Sequence, residues 1–264
     1  MPVSEMPLFR QPYLKVKEKV RLDSPAMIVG LPGIGLVSKL AADNLVRVLG
    51  ARHFATLYSP HFPNQVIALK SGRLRLFGMH LFHGKLGQRD VVIVKGDLQP
   101  LTVEGQYEVS ASLLSLFAGM GGREVIAMAG YATNAVKEKP GVFAAASSKG
   151  YFGAFTKLGA KPLSTPVPIV GMAGMLPGLS KLYGMRGVCL LVETPGPIVD
   201  ANGAKTLTEI IGKYFKAKIG SAKLSARAKK AGALIAEFEK QAKEAAQQQQ
   251  PPFPAVPKDV SYIR

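Results

Sequence analysis

Three short runs, Met27-Ile28-Val29, Val91-Val92-Ile93-Val94 and Val188-Cys189-Leu190-Leu191-Val192, contain no charged or polar side chain beyond a single thiol. A strand with one wet face alternates apolar and polar residues, so unbroken apolar strands belong to a sheet that is covered on both sides. Helix-type segments supply the cover. Leu36, Leu40, Leu45 and Leu49 follow the first run at helical spacing, and a helix over about 103–117 follows the second. After the third, Asp200 reads as the N-cap of a helix reaching Phe215. The chain is therefore expected to be α/β, with a mixed, mostly parallel central sheet covered by helices, plus a C-terminal helix and a flexible tail.

The remaining segments fill in that plan. Strands are expected at 52–58, 65–69, 73–77 and 79–83, where the close spacing around Ser71-Gly72 and Gly78 points to antiparallel hairpins. Further strands are expected at 124–129, 142–146 and 167–170, with a helix near 149–158. Leu224, Ala228, Ala231, Ile235, Phe238 and Ala242 are spaced 4, 3, 4, 3 and 4 residues apart, the seam of an amphipathic helix. That seam is expected to dock on the protein's own body in preference to another subunit. The Pro- and Gln-rich stretch after it cannot continue a helix. The organisation read from these signals is an N-terminal extension over 1–20, an α/β core over 21–217, an amphipathic helix over 218–247 and a flexible tail over 248–264.

Charge narrows the classes of partner. Lys and Arg number 34 against 17 Asp and Glu, a net charge of +17, which favours acidic proteins, nucleic acid or anionic surfaces. Nucleic acid is the less favoured of these: there is no Trp, no RRM-type aromatic and basic motif, no zinc-finger spacing and no clear helix-turn-helix. The first residues lack an apolar core followed by a cleavage site, and no stretch approaches the ~20 apolar residues of a membrane-spanning helix. A cytoplasmic protein with no membrane partner is expected. Cys189, the single cysteine, reads as a small buried hydrophobe.

Two glycine-rich turns are the candidates for chemistry. Gly30-Leu31-Pro32-Gly33-Ile34-Gly35 lies between a strand and a helix, where exposed amides can hold a phosphate. Read as a dinucleotide fingerprint, it has Ser38 where Gly or Ala is needed, and as a P-loop it lacks the Gly-Lys-Ser/Thr ending. A structural turn is the preferred reading, with an anion site as the alternative. The second cluster, Gly171-Met172-Ala173-Gly174, could form an anion-binding nest, although close backbone packing is the commoner reason for such glycines. His80 and His83, three apart in a strand, face opposite sides, and with His53 and His61 they suggest no metal site. Asp97, Glu104 and Glu108 fall near the carboxyl edge of the 91–94 strand, where the preferred reading is charge that offsets a helix dipole.

Three blocks in this order, Gly30-Leu-Pro-Gly-Ile-Gly-Leu36, Gly171-Met-Ala-Gly-Met-Leu-Pro-Gly178 and Leu190-Leu-Val-Glu-Thr-Pro-Gly196, resemble the proteasome assembly chaperone family. The likeness is to its archaeal-type members, which are homologous to the second subunit of the eukaryotic assembly-chaperone heterodimer, and it covers about 25–240. Ala173 departs from the polar residue common in the second block. The resemblance implies a nucleoside-phosphorylase-like fold without a retained catalytic site and with no cofactor. It also implies assembly as a homo-oligomer or with a related chaperone, and binding to proteasome α-subunits or the 20S core particle. Some members dock by a tail ending hydrophobic-Tyr-any residue; here Tyr262-Ile263-Arg264 places the tyrosine one position earlier. An aromatic anchor with a captured terminal carboxylate is a sound recognition mode, but a tail with no docking role fits the same residues. The competing expectation is a nucleotide- or nucleoside-using enzyme, of ligase or phosphorylase type, that holds phosphate at 30–35 or 171–174.

Overall fold

The computed structural model describes residues 11–133, 135–196, 198–230 and 232–233. In chain order the elements are β1 (Tyr13–Val16), β2 (Ala26–Gly30), α1 (Val37–Val48), β3 (Arg52–Tyr58), β4 (Val66–Ala68), β5 (Leu74–Leu76), β6 (Met79–Leu86) and β7 (Arg89–Gly96). These are followed by α2 (Val103–Gly119), β8 (Glu124–Ala132), β9 (Val142–Ala146), α3 (Lys149–Thr156), α4 (Met172–Leu179), β10 (Arg186–Thr194) and α5 (Ala201–Tyr214). Eight strands form one mixed sheet in the order β1-β3-β6-β7-β2-β8-β10-β9, and β4 and β5 form a separate hairpin. The pairs β7/β2, β2/β8 and β8/β10 are parallel, while the flanking pairs are antiparallel. The protein is thus α/β with a parallel core.

The apolar runs lie in that core because each strand there feeds two hydrophobic layers. Ala26 and Ile28 face the layer that α1, α3 and α5 cover, and Met27 and Val29 face the layer under α2 and α4. Val91 and Ile93 divide from Val92 and Val94 in the same way. Period-two alternation of the backbone makes both sides apolar only when every position is apolar. Phe155 anchors the first layer and Phe117 the second, both essentially inaccessible to solvent; burial of such a side chain contributes roughly 1.5–3 kcal/mol.

Capping residues set the helix starts. The Thr102 hydroxyl accepts from Gly105 N at 3.0 Å at the start of α2, and Asp200 accepts from Asn202 N and Gly203 N at 2.9 and 3.0 Å at the start of α5. Each satisfies amides that the first helical turn leaves without partners.

One expected strand is absent. Residues 167–170 are irregular, and Pro166 and Pro168 explain why: neither has an N–H to give to a ladder. The glycine-rich cluster behind them, expected as a loop, is the eight-residue helix α4 with Gly171 at its N-cap. At the other end of the chain, β1 lies within the residues assigned to an N-terminal extension and pairs with β3, Tyr13 opposite Tyr58. Leu224 and Ala228, the first two residues of the predicted amphipathic seam, are buried in the layer beneath α1 and α5. Asn44 Nδ2 donates to the Gly220 carbonyl at 2.8 Å beside them. Ala231, Ile235, Phe238 and Ala242 lie outside the described side chains.

Candidate functional site

The carboxyl ends of β2, β8 and β10 open into a cavity of about 560 Å³, the place where open α/β sheets hold their ligands. Val29, Leu31, Pro32 and Ile34 form one wall, Met128 to Ala132 form the floor, and the irregular 167–170 segment with Ala173 closes the other side. The prolines that forbid a strand at 167–170 thus leave an extended cover over the sheet end. Among the described residues no Lys, Arg, His, Asp or Glu lines the cavity.

The two glycine motifs, 141 residues apart in sequence from Gly30 to Gly171, meet here through one side chain. Gln99, just past β7, donates from Nε2 to the Pro32 carbonyl at 2.8 Å and accepts at Oε1 from Met172 N at 3.0 Å. The first amide of α4, which a phosphate would need, is therefore already taken by a neutral carbonyl oxygen. Ser38 Oγ donates to the Leu31 carbonyl at 2.5 Å and closes the first turn from within.

The glycines themselves are explained by packing. A Cβ on Gly30 would collide with the Ser38 carbonyl and the Ala42 side chain, so Gly30 permits α1 to lie close against β2. Gly35 is left-handed at φ 64°, and a Cβ there would run into Thr194 Oγ1. Gly171 is also left-handed, at φ 84°, and lies against Gln99, while a Cβ on Gly174 would press on the Ile169 carbonyl. Gly33 differs: its backbone is extended and nothing lies within 4 Å of a Cβ. Four of the five candidate anion-loop glycines thus serve close approach or a turn.

Around this cavity the end face of the sheet presents several exposed apolar side chains. Loops that leave the carboxyl ends of β2, β7, β8 and β10 carry exposed Ile34, Leu101, Val136 and Ile198. Because those strands are parallel, all four loops emerge from the same end. Large exposed apolar groups concentrated on one face mark a surface that other molecules cover.

The remaining candidate residues do not converge on a reaction centre. Asp97 grips Arg75 with both carboxylate oxygens, at 2.5 and 3.1 Å, and meets His80 Nε2 at 3.2 Å. Burial opposes its charge, but the hydrogen bonds from His80 and Arg75 outweigh burial and hold the carboxyl far below the usual carboxylate range. Thr56 connects His80 to His53, with contacts of 3.3 and 2.9 Å. Burial, then the Lys17 charge, lowers the His53 pKa. Glu108 pairs with His61 at 3.0 Å, and Glu104 is exposed in the first turn of α2. His83 packs edge-on against Phe54, away from His80. Among the described residues no group of three or more His, Cys, Asp or Glu side chains is placed to hold a metal ion. The Cys189 thiol is buried and pushed up to about 12, which makes it inert. Tyr262, Ile263 and Arg264 lie outside the described residues.

One cluster gave no signal in the sequence. Glu124, the fully buried first residue of β8, is ion-paired to Arg89 and to Arg186, the latter at 3.0 Å, and accepts hydrogen bonds from Tyr151 and Tyr214 at 2.8 and 2.6 Å. Burial works against its charge, yet the Tyr214 hydrogen bond, the Arg89 charge and the other partners keep its pKa below the ordinary value. The cluster lies at the opposite end of the sheet from the cavity. It joins β7, β8, β10, α3 and α5.

Comparison with known proteins agrees with this architecture. A protein of Methanocaldococcus jannaschii described as uncharacterised is 30% identical over 215 residues, 81% of this chain and 83% of that one. The crystal structure of Pyrococcus furiosus PbaB, described as an archaeal proteasome activator, is 34% identical, covers 87% of this chain and 99% of its own, and superposes with a TM-score of 0.78. PbaA of the same organism, described as an archaeal homologue of proteasome-assembly chaperone, shares the fold at a TM-score of 0.73, with 23% identity over 89% of this chain and 99% of that one. The PAC2 family model matches residues 27–239, beginning in the first strand of the parallel core, and the chain belongs to the PAC2 family.

Proposed function

We propose that this protein binds proteasome α-subunits or the assembled α-ring and promotes core-particle assembly, acting as a homo-oligomer or beside a related chaperone. Family membership over 27–239, together with 34% identity to a protein described as a proteasome activator, carries the reading. The cavity supports it by what it offers a ligand. A pocket lined among the described residues by no charged side chain, whose helix amide is already engaged by Gln99, suits an apolar protein group better than a phosphate. The reading assigns the chain no reaction and no cofactor, and places it in the cytoplasm. Tyr262, Ile263 and Arg264 are proposed as a second contact, with the tyrosine as an aromatic anchor.

Gel filtration with recombinant α-subunits tests the proposal. The full chain is expected to co-elute with them, and removal of Tyr262-Ile263-Arg264 is expected to weaken the complex. Separate elution of the full chain at low and moderate salt would overturn the function, whereas unchanged co-elution of the truncated chain would remove only the tail.

A further inference from the structure

The β4–β5 hairpin is built inside out. Val66 pairs with Leu76 and Ala68 with Leu74, so these four apolar side chains share one face. That face points to solvent: Val66 is 50% exposed, Leu74 73% and Leu76 47%. The opposite face carries Ile67 and Arg75, and Arg75 fastens the hairpin to the body through its two bonds to Asp97. A two-stranded hairpin is marginal in water by itself, and this one presents its apolar face outward.

Its position and charge indicate what covers it. The hairpin is inserted between β3 and β6, and Met79 at the start of β6 pairs with Gly96 at the carboxyl end of β7. It therefore leaves the sheet at the same end as the cavity and its apolar rim. From 63 to 78 the chain contains Lys70, Arg73 and Arg75 and no acidic residue. Asp97 occupies Arg75, while Lys70 and Arg73, flanking the turn, make no ion pair among the described residues. A second copy of this chain would bring the same cations to the contact with no acid from either hairpin, against a net charge of +17 on each molecule.

The geometry points to the β4–β5 hairpin as a docking element for a folded protein partner that presents an apolar groove with an acidic rim. Leu74, Leu76 and Val66 fill the groove, and Lys70 and Arg73 meet the rim. This rests on the proposed function, which makes the partner a proteasome α-subunit.

The test compares the full chain with L74S/L76S and K70E/R73E variants, measuring affinity for recombinant α-subunits and the mass of each free protein by light scattering. Because the substituted side chains are exposed, thermal melting should stay close to that of the parent chain. Each variant is expected to bind at least tenfold more weakly, K70E/R73E most of all at low salt, with free masses unchanged. Parent-like affinity in both variants would refute the hairpin and leave the function standing. A fall in the free mass of L74S/L76S would assign the face to a second copy and also refute it. If the parent chain itself does not bind, the function fails and takes this inference with it.

Discussion

Asp97 and Glu124 are carboxylates held ionised by partners that the fold brings from far along the chain, and both set how the protein responds to acid. Asp97 has a lowered folded pKa, so its contribution is complete above the unfolded value near 3.9 and is lost as pH falls below it. His53 is also lowered, which favours the neutral imidazole in the folded state; the unfolded chain binds more protons once pH drops below about 6.5, and stability falls with it. Lys17, His80 and Lys95 are the charged or titratable groups that oppose a charge on His53. Urea midpoints measured from pH 7.5 to 3 are expected to decline in two stages, and H53N should flatten the first stage alone. Glu124→Gln should cost about 2 kcal/mol. That is below the ~3–5 kcal/mol of a fully buried pair, because the arginines left behind are partly solvated and the two tyrosines can still donate to the amide oxygen. Chemical denaturation reads that loss. Nothing near Glu124 in the sequence announces it: a single acid before an apolar run looks like surface charge, and its partners lie 27 to 90 residues away.

At the scale of elements, what the sequence showed depended on whether the signal was local. The strands at 52–58 and 142–146 have the expected bounds, and Asp200 caps its helix, because alternation and capping are written within a few residues. The 167–170 run failed because its apolar composition resembles a strand while its prolines exclude a ladder. The glycine turn was legible as a turn, but its purpose depended on how α1 meets β2. A paired substitution tests that purpose. Gly30→Ala should destabilise by roughly 1–3 kcal/mol through overpacking against Ser38 and Ala42, whereas Gly33→Ala, with extended backbone and open space, should stay within about 0.5 kcal/mol. Equal effects at both positions would contradict the packing account. Hairpin pairing at 66–76 was likewise legible, but not the face it turns to water, because that depends on Asp97 holding Arg75 from 22 residues away.

For the whole molecule, the parallel core ends in the apolar cavity, and the hairpin leaves from that same end, the proposed binding side, while the Glu124 cluster ties the opposite end together. The excess of 17 positive charges acts over this geometry as a long-range attraction to acidic surfaces, screened within about 10 Å at 0.1 M salt. Contacts through the apolar end face should persist after that attraction is screened. The most direct measurement is calorimetric titration of recombinant proteasome α-subunits into the full chain at low and moderate ionic strength. The account predicts saturable binding at both, weaker at the higher salt, with a negative heat-capacity change from apolar burial. Absence of binding at both ionic strengths would contradict it.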